Sequence, residues 1–214
     1  MSIATQKIKI VKIILNKSIF DENIINIILQ YYWNILDGKK KILLNWIDKN
    51  NLDWTQLSAN PNAIDLLKIR IEYEKSLTPE EYNKLEERDK INWWELSANP
   101  NAIELLKENQ NKIDWEMLSL NSNAIDLLKE RIEYENSLTD EEFDQLQNKI
   151  NWTWLSENPN AIELLINNQD KINWTWLSEN SNAIELLKEN QHKINWSWLS
   201  KNLSIFKDEP MPII

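Results

Sequence analysis

Five acids recur at one place in a repeated phrase of this sequence: Asp65, Glu104, Asp126, Glu163 and Glu185. Carboxylates can act as a general acid and base when a shared pocket gives them unequal environments. Here each acid falls in its own copy of the phrase, near the start of a short helix, where the helix dipole favours a negative side chain. That spacing suits a structural role and no catalytic pair. His192 is the only histidine and cysteine is absent, which excludes thiolate chemistry and histidine clusters. No catalytic, cofactor-binding or metal-ligating residue is assigned, and an enzyme is not expected.

The residue type that remains is tryptophan, with 12 in the chain. Exposed aromatic rings dominate protein interfaces. Six copies of a phrase begin at Trp54, Trp93, Trp115, Trp152, Trp174 and Trp196, at spacings of 39, 22, 37, 22 and 22 residues. Counting that Trp as position 1, position 3 reads Gln56, Glu95, Met117, Trp154, Trp176 and Trp198. Two of the six are polar, and a residue two along a helix from a buried Trp points away from it. Trp154, Trp176 and Trp198 are therefore candidates for an aromatic binding ladder, with Trp94 and Met117 next. The alternative is that they pack between neighbouring copies and close the array.

The elements that position these rings follow from the same alignment. Position 4 is always Leu, position 5 always Ser and position 7 always Asn. In the first five copies positions 10 and 11 are Ala-Ile, and 13 and 14 Leu-Leu, an apolar face with helical period. A short helix is expected at each Trp, capped by the Asn or Asp before it. A second follows Asn-Pro at positions 7 and 8 (Asn60-Pro61, Asn99-Pro100, Asn158-Pro159). Its cap is either the Asn at position 7 before an N1 proline, or the Asn at position 9 with the acid at 12 in a capping box. The Asn at position 7 also suits a stacked hydrogen-bond ladder.

Position 17 separates long copies from short ones. Asn109, Asn168 and Asn190 end the helix in short copies, on the expectation of a left-handed residue there. Arg70 and Arg131 let it run on to about Glu74 and Glu135. An added helix then starts at Thr78 or Thr139, with Glu81 or Glu142 three residues later as a capping box. Neither helix of a copy is stable alone. A buried tryptophan removes about 150–250 Å² from water, a gross gain of about 4–6 kcal/mol as an upper bound. Stacking supplies that burial, so the expected fold is an all-α solenoid of helical hairpins. Residues 1–50 form a helical N-terminal cap ending near Gly38, 51–202 the six-copy array, and 203–214 a degenerate tail. The handedness of the solenoid is left open by the sequence.

Charge narrows the partners. The net charge is −10, with +4 on residues 1–50 and therefore −14 on the rest. An acidic array repels phosphate backbones, so nucleic acid is not an expected partner. Lys7, Lys9, Lys12 and Lys17 break up any secretory apolar core, and no run approaches the roughly 18–20 apolar residues that span a bilayer. An intracellular, cytoplasmic protein with no membrane contact is expected, requiring no cofactor.

The motif W-x-x-L-S-x-N-P-N-A-I-x-L-L resembles tandem-repeat proteins encoded in many copies by giant DNA viruses of the mimivirus kind. The resemblance covers roughly residues 40–206, and L-L-N-W-I-D-K-N-N-L-D-W at 43–54 is similar to the usual lead-in. It implies a repeat fold, a place in the host cytoplasm and little about activity. The opening helix is also similar to an F-box, whose helices bind the ubiquitin-ligase adaptor Skp1. It lacks the leucine-proline start, and Asp21-Glu22 stand where that entry would be. A binding scaffold for a protein partner is the expected function. The alternatives are a ubiquitin-ligase adaptor acting through residues 18–50, or a virion structural component.

Overall fold

A computed structural model of the protein describes residues 41–207, and the chain divides between Asp48 and Lys49. The expected opening helix ending at Gly38, its F-box-like entry and the residues 208–214 of the tail lie outside the described residues. From the first unit, residues 41–48 contain one turn, closed by the Ile47 N–H donating to the Leu44 carbonyl at 3.0 Å. The second unit, Lys49–Ile214, carries all six copies of the repeat.

Among the described residues every regular element is helical. The expected all-α solenoid of helical hairpins is what forms. A Trp-led helix opens each copy: Trp54–Ser58, Trp93–Ala98, Trp115–Leu118, Trp152–Glu157, Trp174–Glu179 and Trp196–Leu199. An Ile-led helix follows in five: Ile64–Ser76, Ile103–Lys107, Ile125–Ser137, Ile162–Ile166 and Ile184–Glu189. The sixth copy has a 3-10 turn, Leu203–Ile205, in its place. Trp-led helices of successive copies pack on one another.

The Trp-led helices start as expected. Asp53, Asn92, Asp114, Asn151, Asn173 and Asn195 each accept from backbone N–H groups of the first turn. The Ile-led helices do not. Their N-cap is the Ala at position 10, with no side-chain cap bond, so neither Asn takes that role. The reason lies in the position 7 side chain, which closes an Asx turn before the helix. Its carbonyl accepts from the N–H two residues on, as Asn101 to Asn99 at 3.1 Å and Asn160 to Asn158 at 3.0 Å.

The other half of that amide holds the array together. The Nδ2 of Asn99, Asn121, Asn158, Asn180 and Asn202 donates to the carbonyl of the position 5 Ser one copy earlier, at 2.9–3.0 Å. Across short copies Asn121, Asn180 and Asn202 also reach the preceding ladder Asn carbonyl, at 2.8–3.1 Å. The Ser hydroxyl adds a rung of its own. It donates to the Trp carbonyl four residues back, and accepts from the N–H of the next copy's cap residue, as Asn173 to Ser156 at 3.0 Å. Each of these five ladder Asn residues is at most 5% exposed. A buried amide satisfied on both sides fixes the register between copies, because a one-residue slip would orphan all its partners.

Leucines at positions 4 and 14 fill the core. Leu96, Leu106, Leu118, Leu128, Leu155, Leu165 and Leu177 are wholly buried. The Ala at position 10 is also buried, where a larger side chain would hold the turns apart. The position 1 tryptophans are less buried than their role as anchors suggested: they pack against this core from its edge. Trp196, with no later copy over it among the described residues, is 65% exposed.

Helix ends follow two designs. Asn109, Asn168 and Asn190 stop the short helices with φ between −138° and −123°. No left-handed residue occurs among the described residues, so that expectation is corrected. The Asn side chain instead donates to the carbonyl four residues back, Leu105, Leu164 or Leu186, at 2.7–2.9 Å. This satisfies an acceptor that every helix end leaves open. In the long copies the helix runs to Ser76 and Ser137, two residues beyond the expected end. The added helices Pro79–Asn83 and Asp140–Gln145 carry the expected capping boxes at Thr78 and Thr139.

Candidate protein-binding surface

Trp154, Trp176 and Trp198 sit at position 3 of three consecutive Trp-led helices, and all three are partly buried. Trp176 and Trp198 stack with centroids 4.7 Å apart and planes tilted by 51°, within the favoured range for aromatic pairs. Lys201 places its ammonium 4.0 Å from the Trp198 centroid and 3.6 Å from Glu179. Trp176 and Trp198 thus pack between the last two copies while staying partly open to solvent.

Position 6, one turn further on, carries Glu157 and Glu179 beside this row. Burial, and then the neighbouring Glu179 carboxylate, raise Glu157 above the ordinary carboxylate range. Two acids beside an aromatic row form a surface that suits a cation: the ring quadrupole and the carboxylates attract it together. Lys201 already occupies one end of it.

The other two candidates lie elsewhere. Trp94 is 47% exposed, but it stands at position 2 of the second copy, where the fourth and fifth copies carry Thr153 and Thr175. There the hydroxyl accepts from the following cap Asn, as Asn173 to Thr153 at 3.1 Å. Met117 is 6% exposed and belongs to the packed interior; no partner touches it without rearrangement. Apolar side chains open to solvent also occur at the last copy, Trp196 with Leu203 at 86% and Phe206 at 82% exposed, and elsewhere in the chain at Trp46 and Ile69.

A pattern that the repeat alignment does not reveal is that the position 1 rings carry cations. Arg70 lies 5.1 Å over Trp54, Arg131 4.9 Å over Trp115, Lys171 5.0 Å over Trp152 and Lys193 4.3 Å over Trp174. Long copies use the Arg at position 17, and the fourth and fifth copies the Lys before the next Ile. Cations thus cover rings that the core leaves half open.

Fold and surface together define an all-α repeat array with no strand among the described residues. No family model, curated protein or solved structure matches the chain. Among the described residues no helix is long and apolar enough to cross a membrane.

Proposed function

We propose that the protein is a non-enzymatic repeat scaffold whose C-terminal copies bind a protein partner. The observation that carries this reading is the stacked Trp176–Trp198 pair, partly open to solvent and flanked by Glu179 and Lys201. Aromatic rings partly open to solvent and rimmed by charge are what interaction sites present. Glu157 and Glu179 favour a partner segment bearing Lys or Arg, which would stack on the rings as Lys201 does. A giant-virus origin and action in a host cytoplasm belong to the same proposal and rest on the repeat motif.

The test is capture from the native or host cell by the wild-type protein and by a Trp154→Ala/Trp176→Ala/Trp198→Ala variant. A Glu157→Gln/Glu179→Gln variant is run beside them, and circular dichroism is measured on all three. Loss of one defined partner from both variants, with helicity retained, supports the reading. Undiminished capture by the Gln pair and by a folded Trp variant would sink it.

A further inference from the structure

The two long copies are built alike, but the surroundings of their inserts differ. Beneath the helix Pro79–Asn83 lies a cavity of about 410 Å³, within the range of small-ligand sites. Its walls are Ile71, Leu77, Pro79, Tyr82 and the ring of Trp93. Glu74, Lys75 and Lys112 are its charged groups.

The second insert carries a cation at the equivalent ring. There Lys171 places its ammonium 5.0 Å over the Trp152 ring and donates to the Asn136 Oδ1 at 2.6 Å. Lys112 is the equivalent lysine and Trp93 the equivalent ring, but Lys75 stands where Asn136 stands. One substitution has two effects. It removes the acceptor that holds the lysine across the ring, and it puts a like charge in its place. Accordingly no cation lies over Trp93 among the described residues, and Lys112 has no bonded partner there.

The charges that remain decide what the cavity takes. Glu74 is already committed: its Oε1 accepts from the Ile91 N–H at 2.8 Å and from Arg70 Nε at 3.4 Å. Lys75 is held at the surface by Glu72 at 3.0 Å. The Lys112 side chain makes no hydrogen bond or ion pair among the described residues, its charge acting on Glu74 only from a distance, and that charge is positive. The array's net negative charge opposes an anion only weakly here, because distant surface charges are screened beyond about 8–10 Å at physiological salt.

We infer that this cavity is a binding site for a small aromatic carboxylate, its ring lying against Trp93 and Tyr82 and its carboxylate paired with Lys112. The site is separate from the C-terminal Trp row, so its failure and that of the scaffold reading are distinguishable.

Calorimetric titration of the full chain with 2-naphthoate tests it, against the neutral 2-naphthylmethanol and the cationic 2-naphthylmethylammonium. Naphthoate is expected to bind saturably at one site, about fivefold tighter than the alcohol, with the ammonium weakest. Lys75→Asn frees Lys112 to bridge across Trp93 and should abolish binding. Lys112→Met should reduce it to the level of the alcohol with an unchanged circular dichroism spectrum. No saturable binding of naphthoate to the wild type, equal binding of the ammonium, or undiminished binding to Lys75→Asn would each overturn the inference.

Discussion

Long and short copies solve one problem in two ways. In a short copy the Ile-led helix spans five or six residues and stops at an Asn that bonds back on its own last turn. In a long copy it spans 13 residues, and an Arg–Glu pair four apart clasps the returning chain. Arg131 donates to Glu135 at 2.8 Å and to the Asn148 carbonyl, while Glu135 accepts from the Ile150 N–H at 3.0 Å. Both routes deliver the next copy to the same place. The cap residue's N–H reaches the earlier Ser hydroxyl at 3.0 Å across 34 residues and at 2.9 Å across 17. The Ser and Asn rungs therefore define the repeat, and the insert is a loop-out at one edge that costs little extra closure entropy.

The largest expected effect tests the clasp. Arg131→Ala leaves the Glu135 side chain, 3% exposed, without its guanidinium. Breaking a buried pair on one side costs about 3–5 kcal/mol. Urea unfolding should show a loss of this order, and Arg131→Lys should recover only part of it, because one ammonium cannot serve Glu135, the Asn148 carbonyl and the Trp115 ring together.

Next comes the ladder. Asn180 donates to two carbonyls of the preceding copy, whereas Asn158, reaching across an insert, donates to one. Removing either leaves buried acceptors unsatisfied at about 1–3 kcal/mol apiece. Asn180→Ala should therefore destabilise more than Asn158→Ala, by about 1 kcal/mol. Equal losses would mean that the second carbonyl bond contributes nothing and the two spacings are joined equally well.

A smaller effect belongs to the short-copy ending. Asn168→Ala removes one partly exposed bond to the Leu164 carbonyl, 2.8 Å long, which water can replace in part. About 1 kcal/mol is expected, readable as a fall in melting temperature well short of that of Arg131→Ala.

How much of this the sequence displays depends on whether a residue's partner lies in its own copy. The Trp-led helices, the capping boxes at Thr78 and Thr139, and the length switch at Arg70 and Arg131 are legible, because their signals are local. The start of the Ile-led helix is not, since Asn99 and its equivalents spend their side chains on a turn and on the copy before. The cations over the Trp rings and the burial of Met117 are equally hidden, because they depend on what neighbouring elements bring. The Trp row is visible as a row, but its stacking and partial burial follow from the separation of successive copies, which the alignment does not measure.

The smallest effect separates the two carboxylates that serve the inserts in opposite senses. Glu142, bonded by the Thr139 N–H and hydroxyl, is held below the ordinary 4.5. It contributes stability above pH 4.5 that is lost as pH falls through the lowered value. Glu74 goes the other way. Burial raises it, against the pull of the Ile91 N–H and of Arg70. In the window between 4.5 and its raised value the folded chain holds more protons than the unfolded one, so its contribution declines as pH rises through that window. Melting curves from about pH 3 to pH 7 should therefore diverge in sign. The stability difference between wild type and Glu142→Gln should shrink toward low pH. The Glu74→Gln variant should compare worst with wild type at the acid end and gain on it as pH rises. Parallel curves for the two variants would mean that burial does not govern Glu74, and that its bonds to Arg70 and Ile91 outweigh its desolvation.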